Sequence, residues 1–304
     1  MVALLALIAS LIGSGQSAPP ATAPASAPAD TAYVNAIEAE RVARETRLRS
    51  DDGWLAVAGL YWLAPGASTF GADRANDVIL PAGSAPPRAG RFILTGDSVR
   101  VEIEPGVEVT LGGRPVTSAA LRSDADGPSD VLVLRDLRLS VIKRTKGYAI
   151  RLRDLNAPAR REFGGLAHYQ VDASWRITAR FVPYDPPKRV PIPSVIGTVD
   201  TLSAPGYVEF EREGRTHRLD PASESAGEDL FFIFKDATSG DTTYPPGRFL
   251  YADPPVDGVV ILDFNRAVNP PCAYTAFATC PLPPPQNALA VAVTAGEKMV
   301  PGHE

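Results

Sequence analysis

The sequence predicts an all-β protein with one N-terminal helix: a small sandwich, then a larger antiparallel barrel or sandwich. Three observations predict it. Beyond Asp51 the chain runs as short apolar stretches cut by Gly, Pro, Asp and Asn, the rhythm of sandwich and barrel strands. Proline supplies 30 of 304 residues, about twice ordinary usage, and proline is expelled from helix interiors and central strands. Helical periodicity is confined to Thr31 through Ser50.

The N-terminal stretch MVALLALIASLIGSGQSA (1–18) reads as an export signal. Its apolar run, Val2 to Ile12, is 11 residues long. That is too short to cross a bilayer core of about 30 Å as a helix. No basic residue precedes it, which places the expected start upstream of Met1. The expected location is therefore periplasmic or secreted, with no transmembrane segment. Residues 19–30 form a Pro/Ala linker with nothing to build a core.

Thr31 to Ser50 is the expected helix, capped by Asp30 or Thr31, with Val34, Ile37, Val42 and Leu48 as its apolar stripe. Glu40–Arg44 and Glu45–Arg49 are spaced to pair. A small sandwich is expected over 51–130, from GWLAVAGLYWLAPG through RPVTS. A second antiparallel unit is expected over 131–298, with Glu213-Gly214 at a hairpin turn and ALAVAVTAG as a buried last strand. The net charge of −5 speaks against a nucleic-acid binder, which needs a basic excess.

The stretches WLAVAGLYWLAPGASTFGADRANDVILP, LRLSVIKRTKGYAIRLRD and FKDATSGDTTYPPGRFL, and above all DFNRAVNPPCAYTAFATCPLPPPQNALAVAVTAGEK, resemble the bacterial and archaeal domain-of-unknown-function family 1684 (DUF1684). The resemblance runs from about Ala43 to Lys298 and implies little about activity, because the family looks uncharacterised. Within it, STFGADRANDVILP, GRFILTGD and VEVTLGGRPV are similar to forkhead-associated (FHA) domains, which bind phosphothreonine through loop Arg, Ser and Asn residues. Arg74 stands near the Arg position. The expected His-containing turn reads Ala89-Gly90-Arg91, and the expected Asn-Gly reads Gly112-Gly113. The likeness therefore implies the sandwich and not the phosphopeptide site.

Chemistry concentrates late in the chain. Cys272 and Cys280 are the only cysteines and have seven residues between them. In an exported protein they are a disulfide candidate; packed thiols and catalysis are the other readings. Strand alternation puts Arg151 and Arg153 on one face of YAIRLRD, and Arg176 and Arg180 on one face of WRITARF. As neighbours, these strands would line an anion site. The loop DATSGDTTYPPGR brings Tyr244 and Arg248. The stiff, proline-rich segment 263–287 brings Asp263, Asn265, Arg266, Asn269 and Tyr274, with Glu297 and Lys298 just beyond.

The expected function is binding of a small anionic ligand under the 263–287 loop, with Arg151, Arg180 and Arg266 in the lining. The alternatives are a hydrolase-like enzyme with Asp263 or Glu297 as acid/base, and a structural envelope protein without a ligand. No G-x-S-x-G, HExxH, P-loop or dinucleotide fingerprint is present, and no metal or cofactor is called for.

Overall fold

The computed structural model describes residues 30–223 and 228–300. The expected export signal and all of the expected linker except Asp30 lie outside the described residues. No helix among the described residues is long and apolar enough to cross a membrane.

Helix α1 spans Thr31–Arg49, and the Asp30 carboxylate caps it by accepting from the Ala32 N–H at 3.0 Å. Its buried side is not the expected stripe. Val42 is 68% exposed, and only Ile37 and Leu48 are buried apolar residues. The face turned inward runs Tyr33, Ile37, Arg41, Arg44, Leu48, a helical row with polar members. The surface beneath is polar, so the helix docks by hydrogen bonds and ion pairs as much as by apolar area.

Two sheets then form the first sandwich. Strands β1 (Val57–Trp62), β2 (Gly66–Gly71), β3 (Val78–Ile79), β4 (Gly90–Thr95), β5 (Ser98–Ile103), β6 (Thr110–Leu111), β7 (Arg114–Pro115) and β8 (Ser118–Leu121) come first. β9 (Val131–Leu134), β10 (Leu137–Arg144) and β11 (Gly147–Asp154) follow. The strand orders are β1-β11-β10-β9-β6-β7 and β3-β2-β4-β5-β8. The break expected at 130 therefore falls near 155, because β9 to β11 hydrogen-bond to β1 and β6 and cannot belong to a later unit. Alternation works as expected. Val99 and Val101 of β5 and Leu137, Leu139 and Val141 of β10 point into a core that holds the stacked Phe70 and Phe92 rings, 4.8 Å apart.

The second unit is an open sandwich. β12 (Arg176–Pro193), β13 (Val199–Arg212), β14 (Arg215–Leu219) and β17 (Val259–Asp263) form one sheet, ordered β14-β13-β12-β17. β15 (Leu230–Phe234) and β16 (Arg248–Ala252) form a ribbon facing it. Trp175, Phe210, Phe232, Phe234 and Phe264 pack between the two layers. The β13–β14 hairpin turns at Glu213-Gly214, both with positive φ (52° and 69°), the conformation a two-residue turn of this hand demands.

The last strand expected at 288–296 does not form. The segment is extended and alternates buried Leu289, Val291, Val293 and Ala295 with exposed residues, so its side chains behave as a strand's. Its backbone does so only at the start, where the Leu289 N–H donates to the Lys235 carbonyl at 2.8 Å and the Ala237 N–H to the Val291 carbonyl at 3.1 Å; beyond Val291 it does not. The fully buried Arg248 donates to the carbonyls of Val293 (2.9 Å), Glu297 (3.2 Å) and Ala295, and Asp236 accepts from the Val293 N–H at 3.0 Å. Side chains satisfy groups that a neighbouring strand would otherwise pair.

Candidate functional site

The closing segment folds back under α1, and the row of inward helix residues meets it. Tyr33 donates its hydroxyl to Asp263 at 2.8 Å, and Asn265 donates to the Tyr33 oxygen at 3.0 Å. Burial and the Asp263 carboxylate push the Tyr33 phenol upward. Half-exposed Arg266 reaches Glu40 at 2.8 Å. One turn further along, Arg44 pairs with Glu297, which is completely buried. Glu297 also accepts from the Asn269 N–H at 2.7 Å and the Tyr274 hydroxyl at 2.9 Å. Arg44 donates to the Asn269 carbonyl at 2.8 Å. Burial and the neighbouring Glu297 push the Tyr274 phenol up. Gly296 makes the approach possible: at φ 78° it is in left-handed backbone, and a Cβ there would lie 2.5 Å from the Ala267 carbonyl.

Beside this network is a notch of about 150 Å³ lined by Arg41, Arg44, Arg47, His168, Arg266, Glu40 and Glu297 among others. Arg44 and Arg266 are matched to the two carboxylates, and Arg41 to Glu38 at 2.9 Å. Arg47 has no ion-pair partner among the described residues, and the buried Arg41 Nε lacks a hydrogen-bond partner there. His168 is held below the usual imidazole value by burial first and by the Arg41 charge second. The notch is thus cationic, with one imidazole that is neutral near pH 7.

Of the candidates named from sequence, Glu297, Asn269 and Tyr274 form one cluster, and Asp263, Asn265 and Arg266 form another beside it. The rest lie elsewhere. Neither Arg151 nor Arg180 lines the notch that Arg266 borders: Arg151 is on β11 of the first sandwich, and Arg180 projects into solvent from β12. Arg151 is buried 4.9 Å from the Trp54 ring, with its Nε and one terminal nitrogen unpartnered, and burial pushes it down to about 10. Arg180 is exposed and pairs with Glu209, directly opposite on β13. Arg248 is the backbone brace described above and pairs with Asp236 at 2.9 Å. Tyr244 is half-buried beside the thiols, pushed up to about 12 mainly by burial. Lys298 lies over the Tyr169 ring, 4.7 Å from its centre. Cys272 and Cys280 are free thiols in contact, the Cys272 N–H donating to the Cys280 sulfur at 3.1 Å.

Sequence reasoning missed Arg41, Arg44, Tyr33 and His168. The legible signal was the spacing 33, 37, 41, 44, 48, which puts aromatic and cationic residues on one helical face.

Residues 161–298 match the family model described as "Protein of unknown function (DUF1684)". An uncharacterized protein of Haloarcula marismortui, solved by NMR, is 30% identical over 48% of this chain and 83% of its own, with a TM-score of 0.41. The FHA-2 domain of a Mycobacterium tuberculosis ABC transporter is 21% identical over 31% of this chain and 81% of that one, with a TM-score of 0.23. The FHA domain of a Chlamydia trachomatis protein is 20% identical over 30% and 81%, with a TM-score of 0.21. The first sandwich rests on its own strand order, to which these likenesses add no argument. A search of curated proteins finds no match.

Proposed function

We propose that this chain, which belongs to the DUF1684 family, binds a small anion in the notch between α1 and residues 265–268. The observation that carries the reading is the guanidinium surplus there: Arg47 has no ion-pair partner among the described residues, and Arg41 keeps a buried nitrogen unpartnered beside a neutral His168. A carboxylate, sulfate or phosphate would complete that set, since guanidinium donors match planar and tetrahedral oxyanions. The hydrolase alternative has less support. Both Glu297 oxygens are already occupied by Arg44, Asn269 and Tyr274, and Asp263 is held by Tyr33 and Asn265. Both carboxylates are buried.

The test is thermal unfolding with sulfate or phosphate against chloride at matched ionic strength. A ligand at about a hundred times its Kd stabilises by about 2.7 kcal/mol. The double variant Arg41→Gln, Arg47→Gln removes the response. An unchanged response in that variant sinks the reading.

The same reading takes the protein as exported, with Cys272 and Cys280 joined once it leaves a reducing compartment. Closing so short a loop stabilises by about 2–3 kcal/mol on the chain-entropy view. Counting reactive thiols on protein recovered from the cell exterior or periplasm checks this: none supports it, two contradicts it.

A further inference from the structure

We infer that the ligand is an amphiphile whose anionic head sits in the notch at Arg41 and Arg47, beside His168, and whose apolar chain fills the hollow beyond Leu166. This deepens the anion-binding reading and rests on it.

A second hollow, of about 550 Å³, is lined by Leu55, Phe163, Leu166, Tyr274 and Val300, with Gly164 and Gly165 in its wall and Glu162 as its one charged residue. That volume is within the usual range for small-molecule sites, which are mostly apolar with a few placed polar groups. Core apolar residues normally close on one another and leave few voids. Here Phe163 and Leu166 pack onto Leu48, Leu55, Ala273 and Tyr274 yet stay only half-buried. Gly165, at φ 104°, is in backbone that suits glycine, and a Cβ there would press on the Glu45 carboxylate at 3.3 Å.

The hollow and the notch share no lining residue, but both border a third cleft. Leu166 also borders a cleft of about 310 Å³ whose walls include Arg41, Arg49 and His168. Arg41 and His168 in turn border the notch. Three adjacent cavities thus pass from a largely apolar wall, with Glu162 at one edge, to the cationic notch. The carboxylates in the middle cleft are both matched, Glu38 by Arg41 and Glu45 by Arg49, each at 2.9 Å. They leave no unpaired negative charge to repel a head group. At the seam the Arg49 guanidinium covers the Phe163 ring, 4.7 Å from its centre. A medium-chain carboxylate has this sequence of chemistry, an oxyanion followed by a run of methylenes.

Calorimetric titration of the full chain with sulfate, then with acetate, hexanoate, octanoate and decanoate, and finally with 1-octanol, tests the inference. Affinity is expected to rise about fourfold for each added methylene until the hollow is full, the factor that burial of one CH2 supplies. Octanol is expected to bind at least tenfold more weakly than octanoate. Leu166→Gln, checked for folding by circular dichroism, is expected to flatten the dependence on chain length.

Equal affinity for sulfate, acetate and decanoate overturns the amphiphile and leaves the anion site standing. Octanol binding as tightly as octanoate overturns the pairing of head and cation. No binding of any anion overturns both readings.

Discussion

At the scale of single residues, the charges sort by what each loses when its partner is removed. Glu297 is fully buried against Arg44, so Glu297→Ala leaves a partly buried guanidinium without its counter-charge and the Tyr274 hydroxyl and Asn269 N–H without an acceptor. Chemical denaturation is expected to show a loss of about 3 kcal/mol or more. Arg180→Ala removes an exposed pair on β12 and β13 and is expected to cost under about 1 kcal/mol. Arg151 is the opposite case. It is a buried cation with two unpartnered nitrogens, so Arg151→Met, which keeps much of the volume, is expected to leave the denaturation midpoint unchanged or raise it. A loss of more than about 2 kcal/mol there would show that the Trp54 contact outweighs desolvation.

His168 sets a pH dependence at the same scale. Its folded value lies below the ordinary 6.5, so the unfolded chain binds the proton more readily. Its contribution to stability is therefore whole above about pH 6.5 and is lost as the pH falls through the lower folded value. The difference in stability between the native chain and His168→Gln, measured from pH 7.5 to 5, is expected to shrink in favour of the variant toward acid. A flat difference contradicts the direction of the shift.

At the scale of elements, the strands were legible because alternation and turn chemistry are local. β5, β10, β11 and the Glu213-Gly214 hairpin could be read directly from their residues. Two elements could not. Ala288 to Gly296 has a strand's pattern of burial, but whether its carbonyls meet a strand or a guanidinium depends on Arg248, some 45 residues earlier in the chain. Arg248→Met is accordingly expected to leave several buried carbonyls and the Asp236 Oδ2 without a donor, and to cost about 3 kcal/mol or more in a denaturation curve. A cost under about 1 kcal/mol would mean that the segment finds other donors. The helix is the second case. Counting only apolar positions selected Val42, which faces solvent, and passed over Arg41 and Arg44, which reach the Tyr169 carbonyl and Glu297, each more than 100 residues away.

At the scale of the whole molecule, the chain is two sandwiches and a strap. The first sandwich closes with β11, a boundary invisible to local pattern because β9 to β11 read as strands wherever they are placed. The strap, residues 263–300, packs on the second sandwich through Phe264, Leu289 and Val291, and touches the first where Thr275 donates to the Val57 carbonyl at 3.0 Å. Helix α1 then lies across it. The clustering of Asp263, Asn269, Tyr274 and Glu297 was legible, since all fall in one proline-stiffened segment. The cation side of the site was not, because α1 precedes that segment by more than 200 residues and only tertiary packing brings them together.

The central claim is that α1 and the strap enclose an anion site beside His168. The NMR titration of the His168 imidazole, assigned with His168→Gln and recorded with and without sulfate, tests it most directly. The account predicts that sulfate raises the His168 pKa in a saturable way, because a nearby anion favours imidazolium, while His217, packed on Phe210, does not move. A His168 curve indifferent to sulfate, or one that shifts only in step with His217, would contradict it.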